Sequence, residues 1–384
     1  MLNNKKSPLR NPGLQSILAS LLCIIIGMLV GYVVLLLINS KGAGEAITAV
    51  AKNFLTFKIE KLRKKNLGNT LVKTAPLVLC SLSILFAYKV GLFNIGAAGQ
   101  YTVGCGAALY FALHFHSPWY VCLIMAIVAG AVWGSLTGIL QAFCNVNVVI
   151  SGIMLNWIGL YAVNMLLTTV KEGTSPYTFS LVNNNRKAML PSLGLGKYFG
   201  NNDFVTVAIP IAILMAVIVW VVLNKTKFGY ELKATGANRN AAKYCGMKEK
   251  QNIIVTMVIA GGIAGMAAGL YYLTGFEQWK CTEASVPAMG FNGIAAAFLG
   301  GLNPIGCIFS SYFIQHITNG GAFVNKSLYC SQISDFISSL IIYLCAFVLF
   351  LKQFLNARLD AREEKKLHAM KAAAESNHEG GKVQ

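Results

Sequence analysis

The chain has 384 residues, of which 55% are hydrophobic and only 12% are charged, and its mean hydropathy is +0.59. A soluble globular domain carries about twice this charged fraction, so the composition excludes an ordinary soluble enzyme. The formal net charge of +18 does not indicate nucleic-acid binding, because the basic residues flank apolar segments and no aromatic residues alternate with them. Anionic lipid headgroups are the expected counter-charge.

Apolar runs of membrane-spanning length recur along the chain, and a helix needs about 20 mostly apolar residues to cross the hydrocarbon layer. The five clearest runs are residues 14–38, 119–142, 204–223, 252–274 and 335–354. Five more polar runs, interrupted by Gly, Pro, Asn or Gln, are residues 72–89, 97–115, 147–170, 288–303 and 304–322. Together they predict an all-α integral membrane protein with about ten transmembrane helices, the first of which is too long for a removable signal peptide.

The basic residues set the predicted orientation, because Lys and Arg are retained on the cytoplasmic side of short loops. With the N-terminus inside, ten crossings place both termini and the loop 224–251 in the cytoplasm. The segment 41–70 opposes this arrangement, since it carries seven basic residues on the outer side. Either residues 44–66 lie flat on that surface as an amphipathic helix or one crossing is miscounted. The predicted parts are a cytoplasmic segment 1–13, a permease domain 14–354 and a cytoplasmic basic tail 355–384.

The ten cysteines behave in this sequence as small apolar residues, because most lie within apolar runs and no C-x-x-C pair occurs. No metal site is predicted from them. Only Cys281 and Cys330 fall in predicted outer loops, and a disulfide between them is left open because nothing in the sequence fixes their separation.

The transport energy is predicted to come from outside the chain. Proton- or sodium-coupled carriers commonly hold carboxylates within their spans, whereas all fourteen Asp and Glu residues lie in loops, tails or span ends. His316 stands alone in a span and is interpreted as a hydrogen-bonded packing residue. The sequence contains no phosphate-binding G-x-x-x-x-G-K-[ST] loop and no H-E-x-x-H motif. We therefore expect no catalytic residues, and neither ATP hydrolysis nor membrane-embedded enzyme activity by this chain.

The loop 224–251, NKTKFGYELKATGANRNAAKYCGMKEKQ, is the only long polar segment between inner span ends. Asn238 has the residue type of a helix N-cap, the small residues Ala241 and Ala242 follow it, and Gly246 has the residue type of a helix stop. The pattern predicts a short capped helix. Two interpretations are open at this point: a docking element for a cytoplasmic partner, or a solvated connector.

Four blocks in order resemble the permeases of ABC transporters for nucleosides and simple sugars, which include the ribose and branched-chain amino acid types. Residues 76–104 end in FNIGAAGQYTVG, which is similar to the family's F-N-I-G-A-E-G-Q with Ala98 in place of Glu. Residues 147–160 resemble the family's M-L-N block, and residues 289–306 resemble G-F-D-G-I-A-V-A-L-L-G-x-x-N-P-I-G with Asn292 in place of Asp. The fourth block is the loop 224–251, whose matching residues are Gly229, Lys233, Ala234, Gly236, Asn238, Ala241, Ala242 and Gly246.

The resemblance implies a multi-pass permease subunit of an ATP-driven importer in a bacterial plasma membrane. Nucleosides are the implied substrate, with ribose- or galactose-type sugars as the alternative and a secondary transporter as the less favoured one. The implied partners are a cytoplasmic ATPase that uses ATP and Mg, a second identical or homologous permease, an extracytoplasmic substrate-binding lipoprotein and membrane lipid. No cofactor is expected on the chain itself.

Four amide side chains in the matching blocks are candidate contacts of the substrate path: Asn94, Gln100, Asn156 and Asn292. A buried amide needs hydrogen-bond partners. Asn94, Gln100 and Asn156 therefore either bridge helices or face the path, and both interpretations are open. The blocks at 93–96 and 291–294 are alike and predicted to lie at opposite faces, which raises the hypothesis of inverted repeats.

Overall fold

The computed structural model describes residues 12–325, 327–329 and scattered positions from 336 to 361. Most of the predicted span 335–354, most of the tail 355–384 and Cys330 lie outside the described residues, as does the segment 1–11. Thirteen α-helices and no β-strand form within the described part. The helices are α1 (Pro12–Ile38), α2 (Ala43–Lys52), α3 (Glu60–Tyr88), α4 (Ala97–Leu113), α5 (Trp119–Cys144), α6 (Val148–Leu167), α7 (Leu181–Asn184), α8 (Ala208–Lys225), α9 (Lys227–Ala237), α10 (Arg239–Tyr244), α11 (Glu249–Tyr272), α12 (Ala288–Leu299) and α13 (Pro304–Gly321).

Membrane-spanning length and apolar composition are combined in five of the described helices: α3, α5, α6, α8 and α11. The predicted all-α architecture is confirmed. The α12 helix is apolar but shorter, at 12 residues, and the run predicted over 288–303 therefore does not form a full span by itself. Ten crossings and two cytoplasmic termini remain predictions.

Small residues bring α5 and α11 into close contact. Gly130 and Gly134 recur four residues apart on α5 and face Gly261 and Gly265 on α11. A methyl group on Gly130 would lie 2.8 Å from the Cα atom of Gly265, so the two backbones touch. Lipid tails are as apolar as Leu side chains, so close backbone packing of this kind is a main source of helix association in a bilayer.

The long helix α3 connects the two ends of the bundle. It has 29 residues and is therefore about 43 Å long. Near its start, the side chain of Asn202 donates to the carbonyl of Lys65 (3.1 Å). Just past its end, Gly91 packs against Gly236 of the loop 224–251. The segment around residue 202 and the loop 224–251 thus lie at opposite ends of α3.

The flat amphipathic helix expected over 44–66 is wrong as a single element. The α2 helix ends at Lys52, because Asn53 has a positive φ of 46°, which lies outside the right-handed α-helical region. Residues 60–66 instead form the first turns of α3, and Gly68 just beyond them packs against Asn202 and Val205. Lys61, Arg63, Lys64 and Lys65 therefore belong to the start of a helix of spanning length.

The helices α12 and α13 form a hairpin whose turn lies at the α9 end of the bundle. Phe298 contacts the ring of Tyr88 (5.3 Å between ring centroids) at the end of α3. Ser310 donates to the carbonyl of Ala296 (2.6 Å) and closes the hairpin. At the other end of α12, Gly290 packs against Ala98 near the start of α4. The starts of two short helices therefore meet inside the bundle, while an inverted-repeat relation remains a prediction.

Candidate functional site

Asn94 and Gln100 form a closed amide pair at the start of α4. Asn94 Nδ2 donates to Gln100 Oε1 (3.0 Å), and Gln100 Nε2 donates back to Asn94 Oδ1 (3.3 Å). Both side chains are buried. Since each amide satisfies the other, the pair fixes the segment before α4 against the first turn of that helix.

Asn156 bridges α6 to the same region. Its Oδ1 accepts from the backbone N–H of Gly99 (2.7 Å), and its Nδ2 donates to the carbonyl of Ile95 (3.1 Å). A Cβ atom at Gly99 would lie 2.8 Å from the Cα atom of Asn156, so only glycine permits this approach. The bonds of Asn156 match its helix-bridging interpretation, whereas Asn94 and Gln100 bond each other at the start of α4. Contact of any of the three with a substrate stays a prediction.

Asn292 differs from these three amides. It is half-buried on α12, and its side chain makes no hydrogen bond with any residue in the described part of the chain. Met289 lies three residues earlier, and therefore on the same face of the helix. Asn292 keeps both a donor and an acceptor available for a solute.

The loop 224–251 is built from two helices. The predicted short helix is confirmed as α10: Asn238 is its N-cap and accepts from Ala241 N (3.0 Å). Gly246 follows its end with φ 78°. The preceding helix α9 was not predicted, although Thr226 caps it by accepting from Gly229 N (3.1 Å). A Thr three residues before the capped N–H was the signal for this helix.

One side of this pair of helices is anchored on the bundle. Gly236 packs against Val90, where a Cβ atom would lie 2.8 Å from the Val90 carbonyl carbon. Asn252 at the start of α11 donates to Thr235 Oγ1 on α9 (2.9 Å), and both side chains are buried. Ala242 of α10 is buried as well. The loop is therefore a fixed part of the bundle surface.

The other side of the pair is exposed and basic. Ala241 is exposed, and so are the rings of Tyr230 and Tyr244. Residues 224–251 contain seven Lys and Arg residues against two Glu residues. Exposed aromatic rings are enriched at protein contacts.

Two lysines meet where α9 touches the end of α3. Burial lowers the pKa of Lys89, just past the end of α3, and the nearby charge of Lys233 on α9 lowers this pKa further. The Lys233 Nζ donates to Asn224 Oδ1 (3.3 Å). The two cations therefore lie close enough to repel each other.

A cavity of about 370 Å³ separates α10 from the turn between α5 and α6. With the Gln141 amide in its hydrogen-bonding orientation, Gln141 Oε1 accepts from the Arg239 guanidinium (3.2 Å). The Arg239 side chain therefore links α10 to the end of α5. The lining residues are Gly91, Leu92, Phe93, Gln141, Asn145, Asn147, Val148, Val149 and Arg239.

At the opposite end of the bundle, Trp279 is tied into the protein. Its indole N–H donates to Asn164 Oδ1 (2.9 Å), and Asn164 Nδ2 donates to the carbonyl of Glu283 (2.8 Å). The ring is buried. Trp279 therefore holds the segment before α12 in place.

The interpretation of His316 as a packing residue is confirmed. Its Nε2 lies 2.9 Å from the carbonyl of Ala51, and its ring packs edge-on against Phe54 (5.6 Å between centroids). The carbonyl oxygen accepts the Nε2 proton, which joins α13 to α2.

The chain belongs to the family described as the branched-chain amino acid transport system / permease component, whose model matches residues 66–346. It is 34% identical over 284 residues to the guanosine ABC transporter permease protein NupP of Bacillus subtilis, which covers 73% of this chain and 80% of that protein. It is 31% identical over 296 residues to the nucleoside ABC transporter permease protein NupB of Lactococcus lactis, which covers 73% and 79%.

A more distant relative is the glucose ABC transporter permease protein TsgB13 of Haloferax volcanii. It is 28% identical over 266 residues, which cover 67% of this chain and 70% of that protein. No solved structure matches the chain. The resemblance carried by the four sequence blocks is confirmed.

Proposed function

We propose that this chain is the membrane-spanning permease subunit of an ABC importer of nucleosides. The family match over residues 66–346 supports the permease role. The substrate rests on the guanosine and nucleoside permeases, which are 34% and 31% identical to this chain. The glucose permease is 28% identical, and a simple sugar is therefore the second candidate.

The loop 224–251 is the single feature of the fold that best supports an external energy source. Its helices α9 and α10 are anchored on one side and exposed on the other, as a docking element for a cytoplasmic ATPase requires. That partner would use ATP and Mg, and the chain itself would bind no cofactor. A second permease, identical or homologous, and an extracytoplasmic substrate-binding lipoprotein complete the assembly in the bacterial plasma membrane.

Within this assembly the predicted docking residues fall into three groups. Gly229, Gly236 and Ala242 hold α9 and α10 against the bundle, because each is packed too closely for a larger side chain. Ala241 faces solvent and is a direct contact of the ATPase. Asn238 and Gly246 set the two ends of α10, and Lys233 contributes a positive charge on α9.

The four predicted path residues also fall into two groups, those bonded to protein groups and one that is not. Asn94, Gln100 and Asn156 act on the path by fixing the start of α4, which Asn156 joins to the middle of α6, because their amides are already bonded to protein groups. Asn292 is the member that contacts the solute, because its amide has no protein partner in the described structure.

The docking role is tested with Ala241→Asp, with Ala241→Ser as the matched control. Position 241 is the third residue of α10, where a carboxylate favours the helix through the N–H groups and the helix dipole. The Asp variant should therefore fold normally, yet place a charge in the docking face. Adding Ala242→Asp would be a poor test, because Ala242 is only 4% exposed and a buried Asp destabilises the bundle.

We expect Ala241→Ser to restore uptake of labelled guanosine in cells that lack the chain, and Ala241→Asp to reach the membrane in equal amount without restoring uptake. Full uptake by the Asp variant would remove the docking role and return a secondary transporter to consideration. Restoration of ribose or glucose uptake instead of guanosine uptake would keep the mechanism and change the substrate.

A further inference from the structure

The buried polar atoms that lack a partner cluster in one place. In the part of the chain that the structure describes, four buried side-chain N or O atoms have no hydrogen-bond partner. They are Asn53 Oδ1, Gln315 Oε1, Thr318 Oγ1 and Asn319 Nδ2. Three belong to α13, and Asn53 packs directly on that helix by donating to the carbonyl of His316 (2.9 Å).

The three α13 residues share one face of the helix. Positions 315, 318 and 319 are three and four residues apart, which places their side chains next to each other. They extend about 6 Å along the helix axis, so one small solute can contact all three. Gln315 is 4% exposed and Asn53 is fully buried, which separates these groups from the surface of the bundle.

Such a cluster is unfavourable unless something binds it. A buried polar group left unpaired costs more than an ordinary hydrogen bond gains, and the hydrocarbon layer offers no partner. Other polar groups on the same helix are satisfied: Ser310 donates to the carbonyl of Ala296 (2.6 Å), and Ser311 lies 3.5 Å from the hydroxyl of Ser81. The unpaired set is therefore a local feature of one face.

The unpaired face continues towards the predicted path residue Asn292. Gln315 Nε2 contacts Met289 Sδ at 4.0 Å, and Met289 shares a face of α12 with Asn292. Asn292, Gln315 and the pair at 318 and 319 thus follow one another along the α12–α13 hairpin. All four carry polar groups free to bind a solute.

We propose that Gln315, Thr318 and Asn319 line the solute path and hydrogen-bond a neutral, polyhydroxylated solute as it crosses. The proposal rests on the proposed function, and names a ribose ring with its hydroxyls as the group bound. Gln315 Oε1 accepts, Thr318 Oγ1 donates or accepts, and Asn319 Nδ2 donates. No Asp, Glu, Lys or Arg occurs in α13, so the face selects against ions and in favour of neutral solutes.

The test uses apolar replacements of similar shape: Gln315→Met, Thr318→Val and Asn319→Leu, singly and together, in the full transporter. Removing unpaired buried polar groups should leave the melting temperature of the purified protein unchanged or raise it. Uptake of labelled guanosine by the triple variant should fall at least tenfold. The matched control is Ser310→Ala on the same helix, which removes a satisfied bond and should lower the melting temperature while uptake stays within twofold.

A second measurement is independent of nucleoside uptake. Thr318→Cys in an otherwise cysteine-free chain should react with a small hydrophilic thiol reagent in membranes, and guanosine should slow that reaction. Wild-type uptake by the triple variant, a joint loss of stability and uptake, or an unreactive Cys at 318 would each overturn the proposal. If the intact chain imports no nucleoside, the proposed function fails, and the reactivity at 318 still shows whether this face lines an aqueous path.

Discussion

Adjacent glycines on α11 should respond in opposite ways to the same added methyl group. A Cβ atom at Gly261 would lie 3.0 Å from the Cα atom of Gly134 and closer still to the carbonyl oxygen of Gly130. A Cβ atom at Gly262 would lie 3.5 Å from a side-chain methyl of Ile127, which is ordinary van der Waals contact. The two sites differ in packing while their helix is the same.

The expected magnitudes follow from these contacts. Overpacking costs about 1–3 kcal/mol, and Gly261→Ala belongs at the upper end because backbone atoms of α5 cannot rotate away. At either position, the higher helix propensity of Ala stabilises the helix by about 1 kcal/mol relative to Gly. We therefore expect Gly261→Ala to lower the free energy of unfolding by about 2 kcal/mol. Gly262→Ala should leave it unchanged or raise it by up to about 1 kcal/mol.

Equilibrium unfolding of the purified protein in mixed detergent micelles measures both free energies under one condition. The difference between the two variants, about 2–3 kcal/mol, is the quantity that the packing of α5 on α11 predicts. Equal free energies of unfolding for Gly261→Ala and Gly262→Ala would refute the close contact between these helices.

Three further predictions concern separate parts of the bundle. Asn156→Leu should destabilise by about 2–4 kcal/mol in the same unfolding assay, since it leaves the Gly99 N–H and a carbonyl unpaired in a buried site; an unchanged stability would contradict the bridge. Trp279→Phe should lower the free energy of unfolding by about 1 kcal/mol, because the indole hydrogen bond is lost. A decrease no larger than that of a substitution at an exposed aromatic residue would contradict a stabilising role for this bond. In a variant that keeps only the exposed Cys144 and Cys245, an impermeant maleimide should label inside-out vesicles and spare intact cells; labelling of intact cells would reverse the orientation.

The general architecture could be predicted because apolar runs are visible in sequence, whereas the extent of individual helices could not. The start of α3 was missed because Lys61, Arg63, Lys64 and Lys65 interrupt the hydropathy pattern, although they continue the helix. The helix α9 was missed because its glycines discourage a helix in isolation. Position 236 requires glycine because the helix passes too close to Val90 for a side chain. This contact joins residues far apart in the chain.

The candidate site shows the same limit on sequence-based inference. The sequence identifies buried amides that need partners, but Asn156 bonds to Gly99, 57 residues earlier, and no local pattern reveals that distance. The polar face of α13 could not be predicted either. Gln, Thr and Asn are ordinary residues in a helix, and only the packing around them shows which hydrogen bonds are missing.

The role proposed for this chain is to carry nucleosides across the membrane with energy from a separate ATPase. Its most direct test is initial uptake of labelled guanosine by cells that lack the chain and by cells that regain it, with unlabelled nucleosides, ribose and glucose as competitors. Uptake should depend on the chain and on cellular ATP, and only nucleosides should compete. Undiminished guanosine uptake in the cells that lack the chain would show that it does not carry nucleosides, and rescued uptake that persists after ATP depletion would show that no ATPase drives it.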